Sequence, residues 1–480
     1  MKTIVIVPLF VLALFASTLC ESLSNKVGVN YGQLGNNLLP PPGSIEVIKN
    51  TLKAGGIKLY DANSTILGAL RHTNLEVAIM VPNELIINVS KSQSLADQWI
   101  KNNVIPFYPD VKIRYLLVGN EILSLWNPVE TWRYLVPAMQ SIHNSLRKYK
   151  LGMVKVSTTM AVDVLNSVTP PSNSTFRSDI LEPIMKPMMD FLNRTRSYFF
   201  FDVYPYFTWA NDPKHISLDY ALFQSKDVVY KDRSSKLNYT NLFDQLIDAA
   251  FFAMKDLGYS EIRIVIAETG WPNHGDLDQV GANIYNAALY NRNLVKKLTA
   301  KPSIGTPAQP GRVFPTFIFA LFNENQKWGP GTERHWGLLY PNGSKIYDID
   351  LSGKTALSNY RGKLPPPTNN RPYKGKIWCV VAKGANRTAL VGQLKQVCSK
   401  ENDICRPVEP GNQCSKPDSV VWHASYAFST YWARFRSKGE PCYFDGLAME
   451  TTKDPSVGPC KFPSVTPCGN QLKTFINNTC

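Results

Sequence analysis

Eight short apolar runs, separated by longer segments with helical periodicity, constrain this chain more than any other feature. They fall at residues 27–31, 57–60, 77–81, 113–119, 154–158, 199–204, 262–267 and 316–322. Strands alternating with helices build parallel βαβ units, and eight such units are the number that closes a barrel. The intervals support this. Leu242, Leu246, Ala249, Ala250 and Ala253 recur at helical spacing, and Gly258 offers a C-terminal stop. The expected fold class is α/β: a (β/α)8 TIM barrel over residues 23–360, followed by a small disulfide-rich C-terminal domain. With 480 residues, 44% of them apolar, the chain can bury a core of that size.

The cysteines set the rest of the domain plan. Residues 1–22 read as a secretory signal: Lys2, an apolar run from Ile4 to Phe15, then small residues up to Ser22. That run is too short to span a membrane, so no membrane anchor is expected. Of nine cysteines, Cys20 lies in or beside this signal; the others are Cys379, Cys398, Cys405, Cys414, Cys442, Cys460, Cys468 and Cys480. An even set in a secreted chain implies disulfides, and without a Cys-x-x-Cys pair a zinc site is not expected. Eight cysteines allow 105 pairings, of which the short loop Cys398–Cys405 is one plausible bridge. Residues 361–375, with Pro365, Pro366 and Pro367, read as an extended linker. They give the following module few reasons to dock. The module occupies residues 376–462, with a helix expected over 420–435 and a stop at Gly439; 463–480 is an extension holding the last two cysteines. Eight Asn-x-Ser/Thr sequons, at Asn63, Asn88, Asn173, Asn193, Asn238, Asn342, Asn386 and Asn477, fit an extracellular location.

Two of the strands end in a carboxylate. Residues 264–268 run from β-branched apolar residues into Glu268, followed by a turn with Gly270, Trp271 and Pro272. Residues 113–121 repeat the pattern and end in Asn120 and Glu121. Either glutamate alone is more simply a polar strand end. Two at the same end of one barrel form the pair that cleaves glycosidic bonds.

Around these residues the chain resembles the plant glucan endo-1,3-β-glucosidases of glycoside hydrolase family seventeen. The segment 262–275, centred on Ala267-Glu268-Thr269-Gly270-Trp271-Pro272-Asn273, carries the likeness most specifically. Val27 to Gly32, Val118 to Glu121, Phe322 to Lys327 and Glu333 to Leu338 support it. The C-terminal module resembles the cysteine-rich carbohydrate-binding domain often joined to these enzymes, through Trp378-Cys379-Val380, Ala424 to Phe428 and Asp454 to Cys460. The resemblance implies Glu121 as general acid/base and Glu268 as nucleophile. Their carboxyls would then lie about 5–5.5 Å apart, with net retention of configuration. It also implies substrate contacts from Tyr31, Asn120, Tyr204, Tyr206, Trp271, Phe322, Glu324 and Lys327. Lys327 would keep neighbouring carboxylates ionised, and Tyr31 and Trp271 would open into the cleft. Tyr60 is divided evenly between cleft and core. The chain departs from the family at Asp202, where Asn is usual, and at Lys58, where Arg is common. Cys468 and Cys480 lie beyond the module's usual six cysteines, and Thr430 and Trp432 replace an acidic residue and a tyrosine. None of these departures is expected to touch the two glutamates.

Other chemistries find little support. There is no Gly-x-Ser-x-Gly elbow, dinucleotide fingerprint or phosphate loop. The six histidines are scattered without metal-ligand spacing, so neither metal nor organic cofactor is expected. The net charge of +15 contains no long basic run. It favours a basic secreted protein attracted to acidic wall polymers over one that binds nucleic acid. The expected partner is 1,3-β-glucan, and a monomer is expected. A wall lectin without turnover and a mixed-linkage 1,3;1,4-β-glucanase are the alternatives.

Overall fold

The computed structural model describes residues 27–401 and 403–467. The expected signal at 1–22, Cys20, Cys468, Cys480 and the Asn477 sequon lie outside them. All eight apolar runs form strands: β1 Val27–Tyr31, β2 Gly56–Leu59, β3 Glu76–Val81, β4 Ile113–Asn120, β5 Lys155–Met160, β6 Phe199–Asp202, β7 Ile264–Thr269 and β8 Thr316–Ile318. They close a barrel in the order β1-β8-β7-β6-β5-β4-β3-β2, every pair parallel.

Alternation along each strand sorts the side chains into two cores. Val77, Ile79, Leu116, Val118, Phe199, Phe201, Ile264 and Ile266 face the surrounding helices. Ala78, Met80, Tyr115, Leu117, Phe200, Val265, Ala267 and Phe317 fill the barrel. The helices that cover the outer core have sequence-encoded ends. Helix Leu242–Asp256 starts where Asn241 accepts from the Asp244 N–H, satisfying a donor that the helix leaves free. It stops before Gly258, whose φ of +87° suits glycine.

The module has its own core, built on Trp378, Leu390, Val397, Ala427, Phe428 and Trp432. Its strands β9 Trp378–Val381 and β10 Ala448–Thr451 pair antiparallel beside helix Val420–Phe435, which has the expected bounds. Ser425 and Ser429 on that helix accept from the N–H groups of Val381 and Cys379, fastening strand to helix. Three disulfides pin this small core: Cys379–Cys442, Cys398–Cys405 and Cys414–Cys460. The Cys398–Cys405 bridge is the one that loop length suggested.

The expectation that the linker leaves the module few reasons to dock is corrected. Asn369 donates to the carbonyls of Gln279 and Ala282, and its own carbonyl accepts from the Gly281 N–H at 2.8 Å. Asn370 accepts from Asn283 and Asn286, so the linker is strapped to the barrel. The module then docks. Arg436 pairs with Asp278 and lies 3.8 Å from Glu450. Glu450 accepts from the Leu277 N–H at 2.7 Å, and the Arg334 guanidinium sits 4.2 Å from the Tyr443 ring. Proline content carried no signal for asparagine side chains finding partners far along the chain.

Asp278 and Glu450 side chains are each only 6% exposed, so Arg436 is their required countercharge. Removing it leaves two buried carboxylates, and separation of the module lets water reach them. Arg436→Ala is therefore expected to raise the radius of gyration in solution scattering and to speed proteolytic cutting within 361–375. Unchanged scattering and unchanged protease resistance would show that the seam does not depend on this ion pair.

Candidate active site

Strand alternation by itself would turn Glu268 the wrong way. Val265 and Ala267 face the barrel interior, so the next residue should face out. Pairing with both neighbours shows an extra residue in β7: Phe201 and Asp202 pair with Ile266 and Glu268, while Thr316 and Ile318 pair with Ile266 and Thr269. This bulge returns Glu268 to the interior, beside Asp202. β4 also carries an extra residue, with Leu117 and Asn120 opposite Ser157 and Thr159. Its bulge passes through Gly119 at φ +75°, where a Cβ would lie 2.5 Å from Ile86. Glu121 follows at φ +51°, a left-handed conformation costing about 1–2 kcal/mol in a residue with a side chain. Its N–H is held by Thr159 at 3.2 Å. The inserted residue turns Glu268 inward in β7; in β4 it turns Asn120 inward beside Thr159, and the left-handed conformation of Glu121 sets that carboxyl.

Their surroundings drive the two carboxyls apart. Lys58, buried on β2, contacts Glu268 Oε1 at 2.7 Å, and the Tyr60 hydroxyl donates to the same oxygen at 2.6 Å. The Tyr204 hydroxyl donates to Oε2 at 2.8 Å. Burial would raise Glu268, but the Lys58 charge and these three donors outweigh it and hold the carboxyl below its ordinary range. Glu121 has no such cation at contact distance. Burial, then the charge of Glu268, pushes it up to about 8. One carboxyl is kept ionised and its neighbour is kept protonated at neutral pH.

Several expected contacts need correction. Tyr31, Tyr206, Trp271 and Phe322 were expected to offer rings to substrate, but all are 2% exposed or less. Tyr31 alternates with Asn30, which faces the interior, so its ring turns to the helix layer and its hydroxyl donates to Ser44. Trp271 spends its indole N–H on the Gly281 carbonyl. Tyr206 packs edge-on against Trp271 and Trp336, and Phe322 against Tyr31. These four form the wall behind the cleft. Asn120 accepts from the Thr159 hydroxyl, and Tyr204 reaches Glu268. Glu324 is buried and accepts from the Leu34 N–H, while burial raises its carboxyl. Lys327 lies 3.6 Å from Glu333 and over the Phe319 ring. The residue that holds Glu268 ionised is Lys58, so this departure from the family pattern, expected not to touch the two glutamates, does touch one of them. Lys327 acts on Glu324, whose carboxyl its charge lowers against burial. A lysine inside the apolar run 56–59 was the available signal, because a buried ammonium needs an anion. Trp126 and Trp328, each 66% exposed on the loops after β4 and β8, also escaped the sequence reading. Among the described residues, no group of three or more His, Cys, Asp or Glu side chains could hold a metal.

A parallel eight-stranded barrel with two such carboxyls at one end defines a glycoside hydrolase. The family model "Glycosyl hydrolases family 17" matches residues 27–351, and the X8 domain model matches residues 377–449. The chain belongs to glycosyl hydrolase family 17. It is 50% identical over 474 residues to "Probable glucan endo-1,3-beta-glucosidase A6" of Arabidopsis thaliana, covering 95% of this chain and 98% of that protein. It is 35% identical to a glucan endo-1,3-beta-D-glucosidase of Olea europaea, over 91% of this chain and 93% of that one. Among solved structures it resembles a β-1,3-glucanase and pollen allergen of Cryptomeria japonica. That match has a TM-score of 0.64 and 38% identity, covering 68% of this chain and 99% of the other.

Proposed function

We propose that this protein is a secreted endo-hydrolase of 1,3-β-glucan that works with retention of configuration. In this reading Glu268 is the nucleophile and Glu121 the general acid/base. The observation that carries it is the opposed ionisation of two neighbouring carboxyls. Lys58, Tyr60 and Tyr204 hold Glu268 as an anion, while burial keeps Glu121 protonated up to about pH 8. Glu121 gives its proton to the leaving glycosidic oxygen as Glu268 bonds to the anomeric carbon. Glu121, now an anion, takes a proton from water, which attacks that carbon and releases Glu268. A lectin that had lost turnover would have no need of this ionisation pattern.

The names of the curated relatives and of the pollen protein support 1,3-linkage preference. Tyr204, and Trp126 and Trp328 on the rim, are the rings placed to stack on sugars. The docked module extends the glucan-binding surface, and its disulfides fit secretion. A linear 1,3-β-glucan is expected to be cut at internal bonds at least about tenfold faster than a mixed-linkage 1,3;1,4-glucan, a difference near 1.4 kcal/mol in transition-state binding. Reducing-sugar release on the two polymers, with product sizing, measures this; the reverse order would assign the mixed-linkage specificity.

A further inference from the structure

The cleft holds a third carboxyl that the mechanism above leaves unused. Asp202 ends β6, is 1% exposed, and pairs in register with Glu268. Glu268 has three donors of its own; neither oxygen of Asp202 has a conventional donor. Its carboxyl instead lies in hydrogen-bonding contact with that of Glu121. Two carboxyls in such contact must share a proton.

We propose that Asp202 is a positioning residue that stays protonated through the catalytic cycle and donates its hydrogen bond to Glu121. This deepens the assignment of Glu121 as acid/base and rests on it.

Charge balance supports the assignment. Lys58 is the cation that acts on all three carboxyls, so the buried cluster is neutral with one anion. Before reaction that anion is Glu268, with Glu121 and Asp202 both protonated. In glycosylation Glu268 becomes an ester and Glu121 loses its proton to the leaving oxygen, so one anion remains. Asp202 keeps its proton in both states. When Glu121 becomes the anion, the Asp202 O–H is already aimed at it. Burial, then the charges of Glu268 and Glu121, raises Asp202 well above the ordinary range, and Lys58 opposes this. Asp163 also acts on Glu121, while Tyr60 and Tyr204 feel the charge of Asp202. The donor from Asp202 lowers Glu121 against the upward push of burial, bringing it nearer the working pH.

The test is the alkaline limb of kcat/KM against pH in Asp202→Asn and Asp202→Leu. Asn keeps a donor, and its limb is expected within about half a unit of wild type. Leu keeps the volume but no donor, and its limb is expected to move up by about one unit. A downward shift in the Leu variant would mean that Asp202 is an anion and overturn the proposal, as would limbs unmoved in both variants. Should the Leu variant not fold, infrared difference spectra of Glu121→Gln with and without Asp202→Asn at pH 7 decide the matter. Loss of one protonated-carboxyl band is expected, and its absence overturns the proposal. The acid/base reading is tested separately, by disappearance of the limb in Glu121→Gln.

Discussion

Glu268→Gln is expected to lower turnover by about 10⁴-fold or more while leaving substrate binding measurable. The amide cannot attack the anomeric carbon, and no other described carboxyl is positioned to replace it. Glu121 is protonated by its surroundings, and Asp202 faces Glu121 instead of open space. The substitution also removes the partner of Lys58, which is fully buried. Breaking a buried pair from one side typically costs about 3–5 kcal/mol, so a lower melting temperature should accompany the loss. Binding is therefore measured by calorimetry well below the transition, beside turnover on a linear 1,3-β-glucan. A smaller replacement gives a positive control. Glu268→Gly opens room for azide, which can attack from the nucleophile's side and give a glycosyl azide of inverted configuration. Hydrolysis by Glu268→Gln surviving within tenfold of wild type would sink the nucleophile assignment.

The barrel was legible in the sequence because its signal is repetitive. Eight apolar runs and their intervening helical periods point to one architecture, and no single run has to be read correctly. The two glutamates were legible for a related reason: each ends such a run. What could not be read was how each glutamate is aimed. Alternation places Glu268 outward from Ala267, and only the pairing of β7 with both neighbours reveals the extra residue that reverses it. The aromatic contacts failed on the same physics. Tyr31 and Trp271 sit in turn-like sequence, yet alternation and a carbonyl partner fix both rings inside the wall. Lys58 and Asp202 were noticed as departures from a family pattern. Their meaning lay in being charged residues within apolar strands, where each must find a partner across the barrel. The seam between the domains left no local trace at all, since Asp278 and Arg436 are far apart in sequence and meet only after both domains fold.

Glu121→Gln should discriminate between substrates by their leaving groups. A glucosyl hydroxyl leaves only with a proton, so cleavage of 1,3-β-glucan is expected to fall by about 10²–10⁴-fold, the usual worth of a general acid. An activated aryl glycoside expels a stable phenolate unaided, and its glycosylation step should change by less than about tenfold. The glycosyl-enzyme then waits for water without a base, so a burst of phenolate followed by a slow steady state is expected in stopped-flow traces. The pH profile provides a second, independent readout. In the wild type, kcat/KM depends on Glu121 keeping its proton and should fall as pH rises through about 8. On the acid side it should fall only below the ordinary glutamate range, where Glu268 becomes protonated. Gln cannot titrate, so on the aryl substrate the variant should lose the alkaline limb and keep the acid one. An equal loss on both substrates, with the alkaline limb intact, would place the acid elsewhere. In that case the raised carboxyl of Glu121 would be only a consequence of its burial beside the Glu268 anion, and the burst would not appear.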